Sequence, residues 1–397
     1  MSSMSAPAAW QAQVRSLFLV AMAVFLVTIV IGILNGLDLY EFDQNQLLTH
    51  VHSGTLGWIT LSLVATSAWF LRGVDARLAW GMAIVVPVYV AAFYIANPTL
   101  RAISGVVLLV LVVWLLVWAW GAYGSRRSLP MLAIALGFTT FTYGAVIGVL
   151  RQVQNAGGPN LFPASADVVG AHASAMVFSY LILVAMGLLE WRVLGTTGLP
   201  RAGLVQVIAL FAGGLILSGT LLFLSGDALQ AAGGLDLLVN LVAVVLFAVR
   251  VLPSALRANW AGGAARHFGI SAAFMVVALA IFMYVVYRFI SDPAVAADPT
   301  VIGGVLVASD HSAFIGVITN LVLGVLLAAT ADRAAQWAWA DEVGFWGVNL
   351  GLVLFLVGLI AETAILKQIG APVMGVSLLV ALAALAMRLR DSELAPA

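Results

Sequence analysis

Apolar stretches of about twenty residues recur along this chain of 397 residues, and the links between them are too short to form a soluble domain. A helix needs about 20 apolar residues to cross a bilayer core of about 30 Å. The sequence therefore predicts an all-α integral membrane protein, one transmembrane domain over residues 1–397 with about twelve helices in contact with membrane lipid. The predicted spans are 16–36, 50–71, 78–96, 101–123, 129–150, 167–189, 203–224, 232–251, 267–289, 303–328, 343–365 and 371–389.

Composition agrees with this class and excludes several others. Hydrophobic residues make up 63% of the chain and charged residues 9%, whereas about one quarter of a soluble domain is charged. Because the chain has no cysteine, it has no thiolate metal site, iron–sulfur cluster or covalently attached c-type haem. No phosphate-binding loop or Ser-His-Asp pattern favours a nucleotide-driven enzyme or a hydrolase. The net charge of zero, without a basic cluster, predicts no nucleic-acid partner.

Lysine and arginine predict the orientation of the helices, because these residues are retained on the cytoplasmic side of a membrane. If the N terminus is cytoplasmic, only four of the 17 basic residues fall on the outer side: Arg101, Arg151, Arg288 and Lys367. An odd number of helices would break this segregation. The sequence therefore predicts cytoplasmic N and C termini in a bacterial-type cytoplasmic membrane.

An internal repeat relates the second, sixth and tenth predicted helices. Each has a histidine near its outer end, small residues after it, and an arginine at its inner end. The three segments are His52-Ser-Gly-Thr-Leu-Gly-Trp58 before Arg72, His172-Ala-Ser-Ala-Met-Val-Phe178 before Arg192, and His311-Ser-Ala-Phe-Ile-Gly-Val317 before Arg333. Unless the similarity is chance, it predicts three pseudo-symmetric four-helix arcs, at roughly 14–125, 126–252 and 253–397.

Four of the five histidines lie inside the outer ends of predicted helices, where an imidazole is costly unless it is paired or coordinated. His50 and His52 point about 200° apart on a helix, so they cannot ligate one iron together. One helix could instead ligate two planar cofactors, one on either flank. The alternative is a pair of interfacial histidines hydrogen-bonded to water and backbone. His267, at the inner end of its helix, is predicted to be solvated.

The segment Thr49-His50-Val51-His52-Ser53-Gly54-Thr55-Leu56-Gly57-Trp58 resembles the tenth helix of the catalytic subunit of haem-copper oxidases, closest to the C-type branch related to nitric oxide reductases. The segment Gly170-Ala-His172-Ala-Ser-Ala-Met-Val-Phe178 resembles that family's second helix, so the order here is shifted by one arc. The resemblance implies a low-spin haem b with iron ligands His52 and His172. It further implies a second haem or metal held by His50 and facing His311.

Two departures from that family narrow the prediction. Its copper site uses an adjacent His-His pair, and this chain has none, so a three-histidine copper site is not predicted. Non-haem iron held by His311 with Asp310 or Glu362 stays open, and these two carboxylates are the catalytic candidates. The chain also resembles the NnrS family, twelve-helix haem proteins linked to nitric oxide stress, although Ser53-Gly54 replaces that family's Glu-Met after the second histidine.

The charged residues add two further predictions. Arg101 and Arg151 stand where haem propionates would emerge, and arginine suits bidentate carboxylate binding; otherwise they are ordinary loop arginines. Asp236, Asp310 and Glu362 are predicted near outer helix ends, where they would relay protons, neutralise a cation or cap helices. Apart from Glu190, no carboxylate falls in the inner half of a span, so proton pumping from the cytoplasm is not predicted.

Together these features predict a membrane protein with one or two haem b groups that transfers electrons, or binds or reduces nitric oxide or oxygen, as a haem-dependent oxidoreductase. Electrons would come from a quinol or a donor protein, since the chain has no soluble electron-carrying domain. A homo-oligomer is compatible with the sequence. Two alternatives stay open: a cofactor-free secondary transporter, which also commonly has twelve helices, and a haem-bearing assembly or sensing subunit without turnover.

Overall fold

The computed structural model describes residues 9–333, 337–391 and 393–395, and these residues form helices and no strand. Twelve helices are long and apolar enough to cross a membrane, as predicted. Their bounds are α1 Trp10–Gly36, α2 Gln44–Leu71, α3 Ala76–Tyr94, α4 Pro98–Ser125, α5 Leu129–Asn155, α6 Val168–Leu194, α7 Arg201–Phe223, α8 Gly226–Arg250, α9 Gly263–Ser291, α10 Pro299–Ala329, α11 Ala338–Ile360 and α12 Ala364–Arg390. Twelve spans is an even number, as the predicted orientation requires, and the orientation itself stays a prediction.

Three helices form the centre of the bundle. The most apolar windows of α2, α6 and α10 are 78%, 67% and 89% buried, against 33–61% for the other nine helices. The other nine surround them, and α12 packs against α1 to close the ring. The second helix of each predicted arc is therefore the central one, and the division of the chain into three arcs stays a prediction.

Each central helix contains a stretch of π-helix, a rare conformation that is frequent at functional sites. The π-helical segments are Ser53–Thr60 in α2, Ala175–Leu181 in α6 and Ser312–Thr319 in α10. In α2 and α10 the last threonine donates its hydroxyl to the carbonyl five residues back, at 2.9 Å and 2.8 Å. These bonds match the wider π turn, so the repeat extends to local backbone geometry.

The π-helical segments also align the three arcs. We call the residue three before each segment position 1 and the residue directly before it position 2. Position 1 is held by His50, His172 and Ser309; position 2 is held by His52, Ser174 and His311. At position 2 every side chain bonds the carbonyl four residues back in its own helix, at 2.7–2.9 Å.

This alignment corrects the predicted repeat in one arc. The prediction that His52 and His311 are equivalent is confirmed, since both are at position 2. The prediction that His172 is equivalent to them is wrong by two residues, because His172 is at position 1 with His50. Small residues lie on both sides of the histidine in α6, so its sequence can be aligned with α2 and α10 with His172 at either position.

The helix ends that are predicted to be cytoplasmic hold buried polar groups. Glu190 is fully buried and pairs with Arg250 at 2.6 Å, and Gln206 donates to the same carboxylate. His267 is only 2% exposed, and its Nδ1 bonds Asn320 Oδ1 at 3.1 Å. The prediction that His267 is solvated is wrong, because its ring faces α10 instead of the inner surface.

At the opposite end, an exposed ion pair joins two helices. Lys367 Nζ, in the first turn of α12, donates to Asp38 Oδ1 at 2.7 Å in the link between α1 and α2. The contact with Lys367 is the main reason that the pKa of Asp38 lies below its usual value. This pair connects the first and last helices of the ring.

Candidate functional site

A cavity of about 520 Å³ lies near the predicted outer ends of the helices, on both flanks of α2. We call the part of the cavity lined by α2 to α6 one lobe, and the part lined by α1, α2 and α10 to α12 the other lobe. Most of the lining is aliphatic or aromatic, as in sites for cofactors and other small molecules of this size. Residues of α2 line both parts of this one cavity.

Four histidines line this cavity: His50, His52, His172 and His311. In each of them Nδ1 lies within hydrogen-bond distance of a backbone carbonyl. His50 bonds Thr28 O at 3.0 Å, His52 bonds Leu48 O at 2.7 Å, His172 bonds Gly144 O at 2.8 Å and His311 bonds Val307 O at 2.9 Å. Because a carbonyl oxygen only accepts, Nδ1 carries the proton in all four rings, and Nε2 has a free lone pair.

This arrangement is the one that metal-ligating histidines adopt. A histidine that binds a metal through one nitrogen almost always donates its other N–H to a carbonyl, carboxylate or water, which fixes the tautomer and the ring orientation. Within the described part of the chain, none of these four Nε2 atoms has a hydrogen-bond partner. The four imidazoles can therefore accept a metal without breaking an existing bond.

The two rings at position 1 are each held against a neighbouring helix by a hydrogen bond to one of its backbone carbonyls. His50 bonds the carbonyl of Thr28 in α1, and His172 bonds that of Gly144 in α5. In both helices a glycine follows four residues after the acceptor. A Cβ atom on Gly32 would lie 3.1 Å from His50 Cε1, and one on Gly148 would lie 2.7 Å from His172 Cε1. Only glycine leaves room for these rings without displacement.

The two rings at position 2 are oriented by their own helices and by aromatic neighbours. The His52 ring stacks on Phe93, with centroids 3.9 Å apart and planes at 16°, and meets the edge of Tyr89. The His311 ring packs against Phe355, with centroids 4.9 Å apart. Each ring is thus fixed by one hydrogen bond and by contact with at least one aromatic side chain.

The four histidines form two pairs. The ring centroids of His50 and His311 are 6.5 Å apart, and their planes differ by 25°. Two imidazoles that bind one metal from opposite sides have ring centres about 6.4 Å apart, given metal–nitrogen bonds of about 2.0–2.1 Å. His52 and His172 line the same cavity. The separation of the His50 and His311 rings therefore fits axial ligation of one metal by this pair.

The predicted carboxylate ligands are placed differently from one another. Asp310 is half-buried and lines the cavity next to His311. Glu362, which the sequence put inside a span, lies in the exposed turn after α11 and does not line the cavity. Among the described residues, no group of three or more His, Cys, Asp or Glu has metal-binding geometry.

Arg101 and Arg151, the arginines predicted to meet haem propionates, lie outside the cavity lining. The Arg101 side chain is buried and donates to Asn45 Oδ1, Phe93 O and Ala92 O, so it fastens the end of α3 to α2 and α4. Arg151 donates to Gln154 Oε1 one turn further along α5. Their predicted contact with propionates stays a prediction.

Asp236 is fully buried in α8, away from the cavity, although the sequence placed it near an outer end. Its Oδ1 accepts from Asn240 Nδ2 at 2.7 Å, and its Oδ2 has no hydrogen-bond partner among the described residues. Asn240 fills the space beside Gly213 of α7. Asp236 therefore belongs to the packing of α7 against α8 and not to the histidine site.

Sequence reasoning missed the partners that hold the imidazoles. All four acceptors are backbone carbonyl oxygens, which leave no mark in the side-chain pattern. A signal did exist in α5, where Gly144 and Gly148 form the small-xxx-small spacing of close helix contacts. The chain matches no known family model and no curated protein, so its function is inferred from the geometry of the site.

Proposed function

We propose that the protein is a haem b-binding membrane protein of the oxidoreductase type, with its haem in the cavity on the flanks of α2. His52 and His172 would ligate one haem iron. His50 and His311 would hold a second haem or metal in the other lobe. This proposal agrees with the resemblance of two segments to haem-copper oxidases, without the copper site of that family.

One observation carries the proposal. Four imidazoles line one apolar cavity, and each donates Nδ1–H to a backbone carbonyl while its Nε2 is free. A structural histidine in lipid uses both nitrogens for hydrogen bonds where it can, because an unpaired polar atom is costly there. Four such free nitrogens around one space are explained together by a ligand that coordinates them.

Bound haem would supply one-electron chemistry between ferric and ferrous iron, with a quinol or a donor protein as reductant, and would bind nitric oxide or oxygen at any open axial position. The residues of this chain would set the conditions for that chemistry. The carbonyl partners keep each imidazole oriented, with its proton on Nδ1 and its Nε2 free to bind. The apolar lining excludes water and so favours the less charged state of the iron site.

The test is the reduced-minus-oxidised absorption spectrum of the protein, purified in detergent after expression with haem supplied. A Soret band and a b-type α band are expected, and their absence would refute the proposal. His52→Ala and His172→Ala should each remove the signal of one low-spin haem.

His267→Ala is the matched control, because His267 is buried away from the cavity and bonds Asn320 instead of a carbonyl. It should keep the full haem content per folded protein. If His267→Ala loses as much haem as the cavity variants, the loss reports general misfolding and the assignment of the ligands is wrong.

A further inference from the structure

Both histidine pairs follow one rule of the pseudo-symmetric fold. Position 2 of one arc is matched with position 1 of the next: the ring of His311 in the third arc faces that of His50 in the first, and His52 of the first arc and His172 of the second line the same cavity. The two lobes on either flank of α2 are therefore equivalent by the repeat. A ligand that fits between one pair of histidines should therefore fit between the other pair.

The third combination given by this rule has no histidine. It joins Ser174 and Ser309, and neither residue lines the cavity. Ser174 bonds the carbonyl of Gly170 in its own helix, and Ser309 is fully buried. On this side of α6, the rings of Phe178 and Phe282 stack at 3.6 Å and join α6 to α9. The repeat thus provides two equivalent ligand pairs and one closed interface.

From this symmetry and the 6.5 Å between the rings of His50 and His311, we propose that both haem irons are ligated on both sides, so that the resting protein has no open axial position. The inference rests on the proposed haem function and deepens it. A high-spin haem beside a separate metal would need only one of these two imidazoles on its iron. Here both rings of the second pair are held at the separation of two ligands on one metal.

Two consequences follow for the chemistry. A six-coordinate iron exchanges electrons without binding substrate, because no axial position is available to a gas. With both pairs closed, the site is built for electron transfer between two haems on either side of α2. Reduction of nitric oxide or oxygen at these irons would first require the loss of a histidine ligand.

The experiment uses the full chain in detergent and carbon monoxide, which binds ferrous haem only where an axial position is open. Haem content, the low-spin ferric electron paramagnetic resonance signals and the shift of the Soret band under carbon monoxide are measured. The wild type should contain two haems per chain, show two low-spin signals and give no shift. His311→Ala should open one of the two irons, so that about half of the haem binds carbon monoxide.

Ser174→Ala is the matched control, since Ser174 occupies the same position 2 in the second arc; it should keep two haems and give no shift. If His311→Ala folds poorly, His311→Gly with added imidazole is the second variant, and the imidazole should restore the closed spectrum.

Three outcomes separate the hypotheses. Stoichiometric carbon monoxide binding by the wild type would overturn the inference. So would a single haem per chain that neither His50→Ala nor His311→Ala affects, because the haem function would stand while the second pair held no iron. A protein without any haem would instead refute the proposed function itself.

Discussion

Replacement of Gly148 by alanine should displace the His172 ring and lower haem occupancy in one lobe. The added Cβ would lie 2.7 Å from His172 Cε1, whereas ordinary contact begins at 3.4 Å, so the ring must retreat by the difference of about 0.7 Å. The Nδ1 atom now lies 2.8 Å from Gly144 O. A retreat of that size stretches the bond to about 3.5 Å, beyond the range of N–H···O bonds.

Gly32→Ala is the graded comparison at the equivalent site. Its Cβ would lie 3.1 Å from His50 Cε1, so a retreat of about 0.3 Å suffices and the bond to Thr28 O, now 3.0 Å, survives near its upper limit. Metal sites need their ligands within about 0.5 Å of the productive position. Gly148→Ala crosses that limit, and Gly32→Ala does not.

The assay is haem content per folded protein together with the low-spin ferric signals, and thermal unfolding provides a readout that does not depend on haem. Overpacking should destabilise Gly148→Ala by about 1–3 kcal/mol. Gly219→Ala is the control, since its Cβ meets no atom within 4 Å and an alanine inside a helix is favourable. Wild-type spectra and stability for Gly148→Ala would refute the reasoning that glycine positions the ring.

Three further predictions concern stability and topology. Glu190→Ala should destabilise the protein by about 3–5 kcal/mol in chemical unfolding, because it leaves the charge of Arg250 without its buried partner, and Glu190→Gln should cost less. Contact with Lys367 lowers the pKa of Asp38, so the stabilisation by this ion pair is present above about pH 4 and is lost as the pH falls through the lowered pKa. The difference in unfolding temperature between wild type and Asp38→Asn should therefore shrink below about pH 4. A constant difference would contradict this. Ser165→Cys should react with an impermeant maleimide added outside intact cells, and the cysteine-free parent chain is the unlabelled control.

The architecture could be predicted because each feature of it leaves a local signal. Apolar length predicts the spans, and the histidines followed by small residues indicate which three helices are related. The bounds of α11 were shifted by five residues, because the predicted span was extended through Glu362 and Thr363 to 365, whereas the helix ends at Ile360. Apolarity marks what can enter lipid, but it does not mark where a helix ends.

The details of the site could not be predicted in the same way. A π turn changes which residues of α6 face inward, and no letter in Ala175–Leu181 announces it. For this reason the sequence aligned His172 with His52, when its structural equivalent is His50. The burial of His267 was missed because Arg266, the residue before it, indicated a charged helix end in contact with water. The His267 ring nevertheless faces the interior of the bundle.

The choice of peptide carbonyls as partners of the four imidazoles bears on how this site tolerates mutation. A carboxylate partner can be lost in one nucleotide change, and its charge would draw the imidazole toward imidazolate. The carbonyls of Thr28, Leu48, Gly144 and Val307 belong to helix backbone, so no side-chain substitution deletes them. A substitution at one of these four residues can change the basicity of a ring only by moving the helix that carries the carbonyl. The electronic properties of the site therefore depend on the rigidity of the whole bundle.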